Sequence, residues 1–163
     1  MSKVIYKLGE DISTDIIYPG RFMATVLPSE TPQFAFMDLK DLNKMLVNKE
    51  VPKGSIIVAD KNFGCGSSRE QAVSTLKGHE VVIIAKNFAR IFTQNSVNLG
   101  LQLVICPKIE ANVGDELEVS NNQVINKTTG KTFEVIPNHP AQQAIIDAGG
   151  LIPYTRQRLM AKS

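Results

Sequence analysis

A chain of 163 residues with 43% hydrophobic and 21% charged residues is long enough to build its own core and has the composition of an ordinary soluble globule. A formal charge of only +2, with no basic block and no arginine–aromatic stripe, argues against a nucleic-acid partner. No stretch approaches 18 apolar residues and Met1-Ser2-Lys3-Val4-Ile5-Tyr6-Lys7 is no signal-peptide run, so the expectation is a cytoplasmic protein with no membrane role.

Residues 4–8 read as a first strand, followed by a loop rich in turn formers, Asp11, Ser13, Asp15, Pro19 and Gly20. Thr31-Pro32 has the form of an N-cap with proline at the first helical position, and Phe34, Met37, Leu42 and Met45 supply an apolar face for the helix it would start. Residues 55–60 form a strand and 67–77 a helix. Residues 81–85, all β-branched or small and apolar, predict a strand buried on both faces. A helix over 87–99 ends at Gly100 as its C-cap, and a strand over 102–106 is stopped by Pro107.

The later third changes character. Residues 116–119, 123–126 and 131–135 are short and alternating, with Asn121-Asn122 and Thr129-Gly130 as turn signals, which predicts a β-meander. Pro140 begins a helix through residue 148, ended by Gly149-Gly150, and residues 155–163 form a tail that frays or docks. The order strand–helix–strand–helix–strand predicts an α/β protein, a mostly parallel central layer with an added β layer, in one domain over 1–163.

Only Cys65 and Cys106 are present, far apart and without a C-x-x-C spacing, and His79 and His139 are isolated from them. No zinc site assembles on such spacing, and an iron–sulfur cluster needing three or four thiolates cannot be held by this chain alone. The expectation is that no metal is bound by this chain and that any metal chemistry comes from a partner.

The most informative segment is Asn62-Phe63-Gly64-Cys65-Gly66-Ser67-Ser68-Arg69-Glu70-Gln71, a glycine-rich turn between a predicted strand and a predicted helix. Two readings apply. Ser67-Ser68-Arg69-Glu70 fits S-x-x-E, a capping box in which Ser67 and Glu70 satisfy each other's backbone N–H groups. The same turn gathers backbone N–H groups, two hydroxyls and a guanidinium at a helix N-terminus, a cradle for an anion. It is neither G-x-G-x-x-G nor a P-loop nor a G-x-S-x-G elbow, which favours a carboxylate over a nucleotide phosphate. Asp15, followed by two isoleucines, would hold a carboxylate at the edge of a core; Arg90 reads as a solvated helix residue and Cys65 as packing.

Four strings then carry a resemblance: Asp11-x-x-Thr14-Asp15-x-Ile17-x-Pro19-Gly20-Arg21-Phe22, the Gly-Cys-Gly-Ser-Ser-Arg-Glu turn, Phe88-Ala89-Arg90-Ile91-Phe92, and Gly149-Gly150-Leu151. Over nearly its whole length the chain resembles the swivel domain of the aconitase family, and within it the small subunits of 3-isopropylmalate dehydratases. The resemblance implies a β/β/α swivelling fold and a hydro-lyase subunit of leucine biosynthesis, active only with a large catalytic subunit that carries a [4Fe–4S] cluster. It implies Ser67 as catalytic base and Ser68, Arg69 and Asp15 as binding a small dicarboxylate substrate. It also implies a specificity loop, here Met23, Ala24, Thr25, Val26 and Leu27. Relatives acting on tricarboxylates place an arginine in that loop; this one has no cation and suits an alkyl substituent.

Two stretches depart from the isopropylmalate pattern. Gln71-Ala72-Val73 stands where His-Ala-Pro is common, and Thr93-Gln94-Asn95-Ser96 where Tyr-Arg-Asn-Ala is usual. Alternatives are therefore a small subunit acting on homocitrate and homoaconitate or on 2,3-dimethylmalate, and, from another class, a non-catalytic carboxylate-binding assembly module.

Overall fold

Four parallel strands form the centre, β1 (Ser2–Lys7), β2 (Ile56–Val58), β3 (Val82–Ala85) and β4 (Leu103–Ile105). The computed structural model describes residues 2–120 and 122–161. Three antiparallel strands, β5 (Glu116–Val119), β6 (Gln123–Asn126) and β7 (Thr132–Glu134), continue the sheet from β1, giving the order β4-β3-β2-β1-β5-β6-β7. This is the expected meander, although Asn121 of the first turn signal lies outside the described residues.

The side-chain alternation of the strands separates two cores. Ile57, Ile83, Ala85 and Leu103 face the helices, while Val4, Ile56, Val58, Ile84 and Val104 meet Leu117 and Val124 of the meander. The strands are apolar on consecutive positions because both faces are covered, as residues 81–85 predicted. The meander curls back far enough for Ile136 to donate to the Ile105 carbonyl at 2.9 Å, so the chain that leaves the last strand in the order touches the first. The result is a helix layer, a parallel layer and a second β layer.

The helix layer comprises α1 (Thr14–Ile17), α2 (Lys40–Val47), α3 (Glu70–Gly78) and α4 (Arg90–Leu99), and α5 (Pro140–Asp147) and α6 (Leu151–Ala161) pack beside α4. Gly100 ends α4 at φ +78, the left-handed C-cap expected of it. The tail folds as α6 rather than fraying at residue 155; Lys162 and Ser163 lie outside the described residues.

One expected helix is broken. Thr31-Pro32 opens only a 3₁₀ turn, Thr31–Phe34, with Glu30 as N-cap, and α2 does not begin until Lys40. Phe36 sits between them at φ +50, fully buried, with its N–H bonded to the Ile17 carbonyl at 2.8 Å. A left-handed non-glycine residue costs about 1–2 kcal/mol, whereas burying a phenylalanine side chain gains about 1.5–3 kcal/mol. Tertiary burial therefore overrides the helical period here.

Candidate active site

The loops that leave the C-terminal ends of β1, β2 and β3 are laced to one another by backbone hydrogen bonds. The Gly64 N–H donates to the Ile12 carbonyl (2.7 Å), Thr14 N–H to the Cys65 carbonyl (2.8 Å), and Ala89 N–H to the Phe63 carbonyl (2.9 Å). Phe63 anchors the bundle, its ring edge-on to Phe88 and Phe92 at 5.7 and 5.5 Å. Gly64 passes directly over Phe92: it adopts φ +84, and a Cβ there would fall 2.3 Å from the Phe92 ring. Only glycine lets the chain take this path. The C-terminal edge of parallel strands is where open α/β sheets place ligands, and the motif residues gather there.

The expected capping box does not form. Helix α3 starts at Glu70, three residues later than expected, its N-cap is Arg69, and no side chain caps it. Glu70 is thus the first helical residue instead of the third, out of reach of its proposed exchange with Ser67. The reason is tertiary: the strand-like pairing of Ser13 with Cys65 carries the chain outward through Gly66, and Ser67 turns to α1. There the Thr14 hydroxyl donates to the Ser67 carbonyl at 3.0 Å and lies 3.3 Å from Ser67 Oγ. Ser67 and Ser68 are exposed, and the α3 N-terminus beside them carries no side-chain cap, so its first N–H groups are open to an anion.

Arg69 and Asp15 meet across this turn. Arg69 Nη1 donates to Asp15 Oδ1 at 2.7 Å and to the Tyr18 carbonyl at 3.2 Å, and Asp15 Oδ1 also accepts the Gly20 N–H at 2.8 Å. The Arg69 hydrogen bond, then the Gly20 N–H, hold the Asp15 carboxyl below its ordinary value. Gly20 permits the closure, since a Cβ there would lie 3.1 Å from Arg69 Nη2 and 3.3 Å from Asp15 Oδ1. Arg69 Nε is buried without a partner and no hydrogen bond engages Nη2 among the described residues. Nη2 is thus left without a protein acceptor after the carboxylate and carbonyl have fixed the guanidinium plane, whereas Nε lies beneath the surface.

The loop 23–27 flanks the same helix. Met23, Ala24, Val26 and Leu27 are exposed and Thr25 half-buried. Its backbone is held by contacts that the sequence does not announce: the buried Tyr18 hydroxyl, placed to donate to the Phe22 (2.9 Å) and Thr25 (3.1 Å) carbonyls, and the Gln71 amide, 3.2 Å from the Met23 carbonyl. Arg21, beside the loop, is tied to Asp38 through both terminal nitrogens (3.0 and 2.5 Å). Beside the glycine-rich turn a depression of about 640 Å³ is lined by Gly64, Gly66, Arg90, Ile91 and Gln94, with Arg90 exposed as expected.

A family model described as the aconitase C-terminal domain matches residues 12–107, the span that holds all of these groups. The chain belongs to the aconitase C-terminal domain family. Within this family it is 41% identical over 160 residues to the 3-isopropylmalate dehydratase small subunit of Thermodesulfovibrio yellowstonii, covering 95% of this chain and 93% of that one. It is 45% identical over 161 residues to that of Caldicellulosiruptor bescii, covering 94% and 93%. The isopropylmalate/citramalate isomerase small subunit of Methanocaldococcus jannaschii is 41% identical over 160 residues, with 95% and 93% covered. Among solved structures, a 3-isopropylmalate dehydratase from the same organism superposes with a TM-score of 0.87 at 34% identity, covering 98% of this chain and 95% of that one. The aconitase C-terminal domain described here shares the α/β architecture of that structure, as the resemblance implied.

No group of three or more His, Cys, Asp or Glu that could hold a metal ion occurs among the described residues. Cys65 lies in the glycine-rich turn, while Cys106 is buried in the second core, its thiol bonded to the Glu134 carbonyl and pushed up to about 11 by burial. The donor set of this aconitase C-terminal domain does not fit an iron–sulfur cluster. No helix among the described residues is long and apolar enough to cross a membrane.

Proposed function

We propose that this chain, acting as one swivel domain in the cytoplasm, is the small subunit of a heteromeric hydro-lyase. It interconverts 2-isopropylmalate and 3-isopropylmalate in leucine biosynthesis by dehydration and rehydration. The observation that carries the reading is the convergence of the exposed Ser67 hydroxyl, the uncapped start of α3 and the Asp15-oriented Arg69 in one turn. Relatives named as small subunits of this dehydratase, about 40% identical over most of the chain, support it. A [4Fe–4S] cluster and the Lewis acidity it supplies belong, in this reading, to the large subunit.

This chain's own residues then have separate tasks. Arg69, with Ser68 and the first N–H groups of α3, binds one substrate carboxylate, and Asp15 holds Arg69 in the plane that this requires. Ser67 Oγ takes the proton from the carbon next to that carboxylate, and loss of hydroxide from the neighbouring carbon leaves the alkene. Addition of water in the opposite sense gives the isomer. A serine hydroxyl is a poor base unless its alkoxide is stabilised; the α3 N-terminus and Arg69 supply positive potential, and the Thr14 hydroxyl, 3.3 Å away, can turn to donate.

The loop supports an alkyl-substituted malate. Met23–Leu27 contains no cation, and the neighbouring Arg21 is neutralised by Asp38. A third carboxylate would be desolvated there without a partner, which is costly. The test is to reconstitute the chain anaerobically with its cognate large subunit and compare isopropylmalate, citramalate, 2,3-dimethylmalate and homocitrate. Isopropylmalate should give the highest kcat/KM; a clear preference for homocitrate overturns the loop argument, and substrate binding without turnover overturns the catalytic one.

A further inference from the structure

The side chains of the 23–27 loop do not fix their own positions. Met23, Val26 and Leu27 are 48%, 62% and 54% exposed, so packing holds them weakly, yet in the proposed function their placement decides which substituent is accepted. Within the loop itself only two local backbone bonds occur before Leu27, Met23 N–H to Gly20 (3.2 Å) and Thr25 N–H to Phe22 (3.0 Å). At the end of the loop the Leu27 carbonyl accepts the Glu30 (2.9 Å) and Thr31 (3.1 Å) N–H groups, and between its two ends the loop is reached by two side chains from outside. Tyr18, fully buried, presents its single hydroxyl proton to the carbonyls of Phe22 and Thr25 from beneath. From the side, Gln71 offers its amide to the Met23 carbonyl between them.

We propose that Gln71 is a positioning residue for substrate selection, fastening the 23–27 loop to the catalytic helix, with the Tyr18 hydroxyl as the second fastening. Gln71 stands in the first turn of α3, two residues after Arg69, so the bond sets the loop against the groups that take the carboxylate and the proton. The Tyr18 carbonyl accepts from Arg69 Nη1 while the Tyr18 hydroxyl holds the loop, so one residue links both halves of the site. The distance between the loop and the carboxylate's anchor is thereby set by side-chain bonds to backbone carbonyls, independently of which side chains the loop carries. This refines the proposed function and rests on it for the identity of the substrate.

The test uses the reconstituted complex and the full chain. Gln71→Met keeps length and removes the donor, Gln71→His restores an N–H donor, and Tyr18→Phe removes the hydroxyl alone. Gln71→Met should raise KM for isopropylmalate about threefold to tenfold, the worth of one neutral hydrogen bond, with kcat within about twofold. It should lower the preference for isopropylmalate over the smaller citramalate by a similar factor. Gln71→His should recover both, and Tyr18→Phe should move them in the same direction as Gln71→Met. Hydrogen–deuterium exchange of residues 20–27 in the full chain should quicken at least about threefold in Gln71→Met and Tyr18→Phe. Unchanged exchange in Gln71→Met overturns the proposal whatever the activity of the complex, and so does a loss of kcat at constant KM and constant preference. A wild-type complex inactive on isopropylmalate, with the exchange difference present, sinks the substrate assignment and leaves the fastening standing.

Discussion

Arg69 and Asp15, 54 residues apart in the chain, share a 2.7 Å hydrogen bond that joins the β1 loop to the β2 loop at the mouth of the site. The side chains differ in exposure, 17% for Arg69 and 66% for Asp15, so solvent screens the pair and its value lies in orientation more than in stability. Replacing Asp15 by asparagine keeps an acceptor but removes the charge. We expect about a tenfold rise in KM for the dicarboxylate, the lower end for a charge-assisted bond. Steady-state kinetics of the complex check this, and an unchanged KM would show that Asp15 does not orient the arginine.

The same pair predicts a flat response to mild acid. The Asp15 carboxyl is held below its ordinary value by Arg69 and Gly20, so it stays ionised to lower pH in the folded protein than in the unfolded chain. Its contribution is present above the unfolded value and disappears only as pH falls through the lowered folded value. A KM that rose between pH 7 and pH 5 in the wild type, but not in Asp15→Asn, would contradict this.

Ser67→Ala removes the proposed base and leaves the carboxylate anchor intact. Turnover should drop by about 10²–10⁴-fold, the usual worth of a positioned base, while substrate affinity measured calorimetrically stays within about threefold. Near wild-type turnover would take Ser67 out of the mechanism.

Gly64→Ala tests the path of the glycine-rich turn. A methyl group at this position meets the Phe92 ring at 2.3 Å and is placed on a backbone at φ +84. Strain and overpacking together should cost about 2–4 kcal/mol, read as a lowered denaturation midpoint with unchanged m-value. An unaltered midpoint would mean that the turn relaxes around Phe92.

His79 gives stability a pH dependence. Burial depresses its folded value, against the opposing effect of its 2.7 Å hydrogen bond to the Pro32 carbonyl. A depressed value means that the unfolded chain binds the proton first. Stability is therefore fully present above about pH 6.5 and declines as pH falls through the folded value. Thermal unfolding at pH 7 and pH 5 should show a smaller difference in Tm for His79→Gln than for the wild type; an equal difference would assign the dependence to other groups.

The strands and the meander were legible because their signal is local: an apolar run such as Val81 to Ala85 has one reasonable destination, a layer covered on both sides. The helix starts were not. Ser67-Ser68-Arg69-Glu70 satisfies the capping-box spacing, but whether Ser67 caps depends on the Ser13–Cys65 pairing, which no window around residue 67 contains. Phe36 likewise breaks an acceptable helical period because its N–H finds the Ile17 carbonyl. At the site, Ser67, Ser68, Arg69 and Asp15 were recognised by type and motif, and the fold brings them together. Thr14, Tyr18 and Gln71 were missed as contacts; two of them act through bonds to distant backbone carbonyls, which leave no trace in composition or spacing. Thr14 stood in a quoted motif and Tyr18 at an unspecified position of it, while Gln71 closed the quoted glycine-rich segment and was marked as a departure from the isopropylmalate pattern.

Ser67 stands on the outside of its own protein. A hydroxyl in contact with bulk water keeps the weak acidity of any alcohol, and the helix terminus beside it is screened by the same water. The chain by itself is therefore a latent reagent: its groups are arranged, but the medium cancels their advantage. Covering that face with low-dielectric surface would switch the electrostatics on without moving an atom of the turn. Under the proposed function, assembly then works as a safety catch, confining the proposed base to the moment when the large subunit has closed over the substrate.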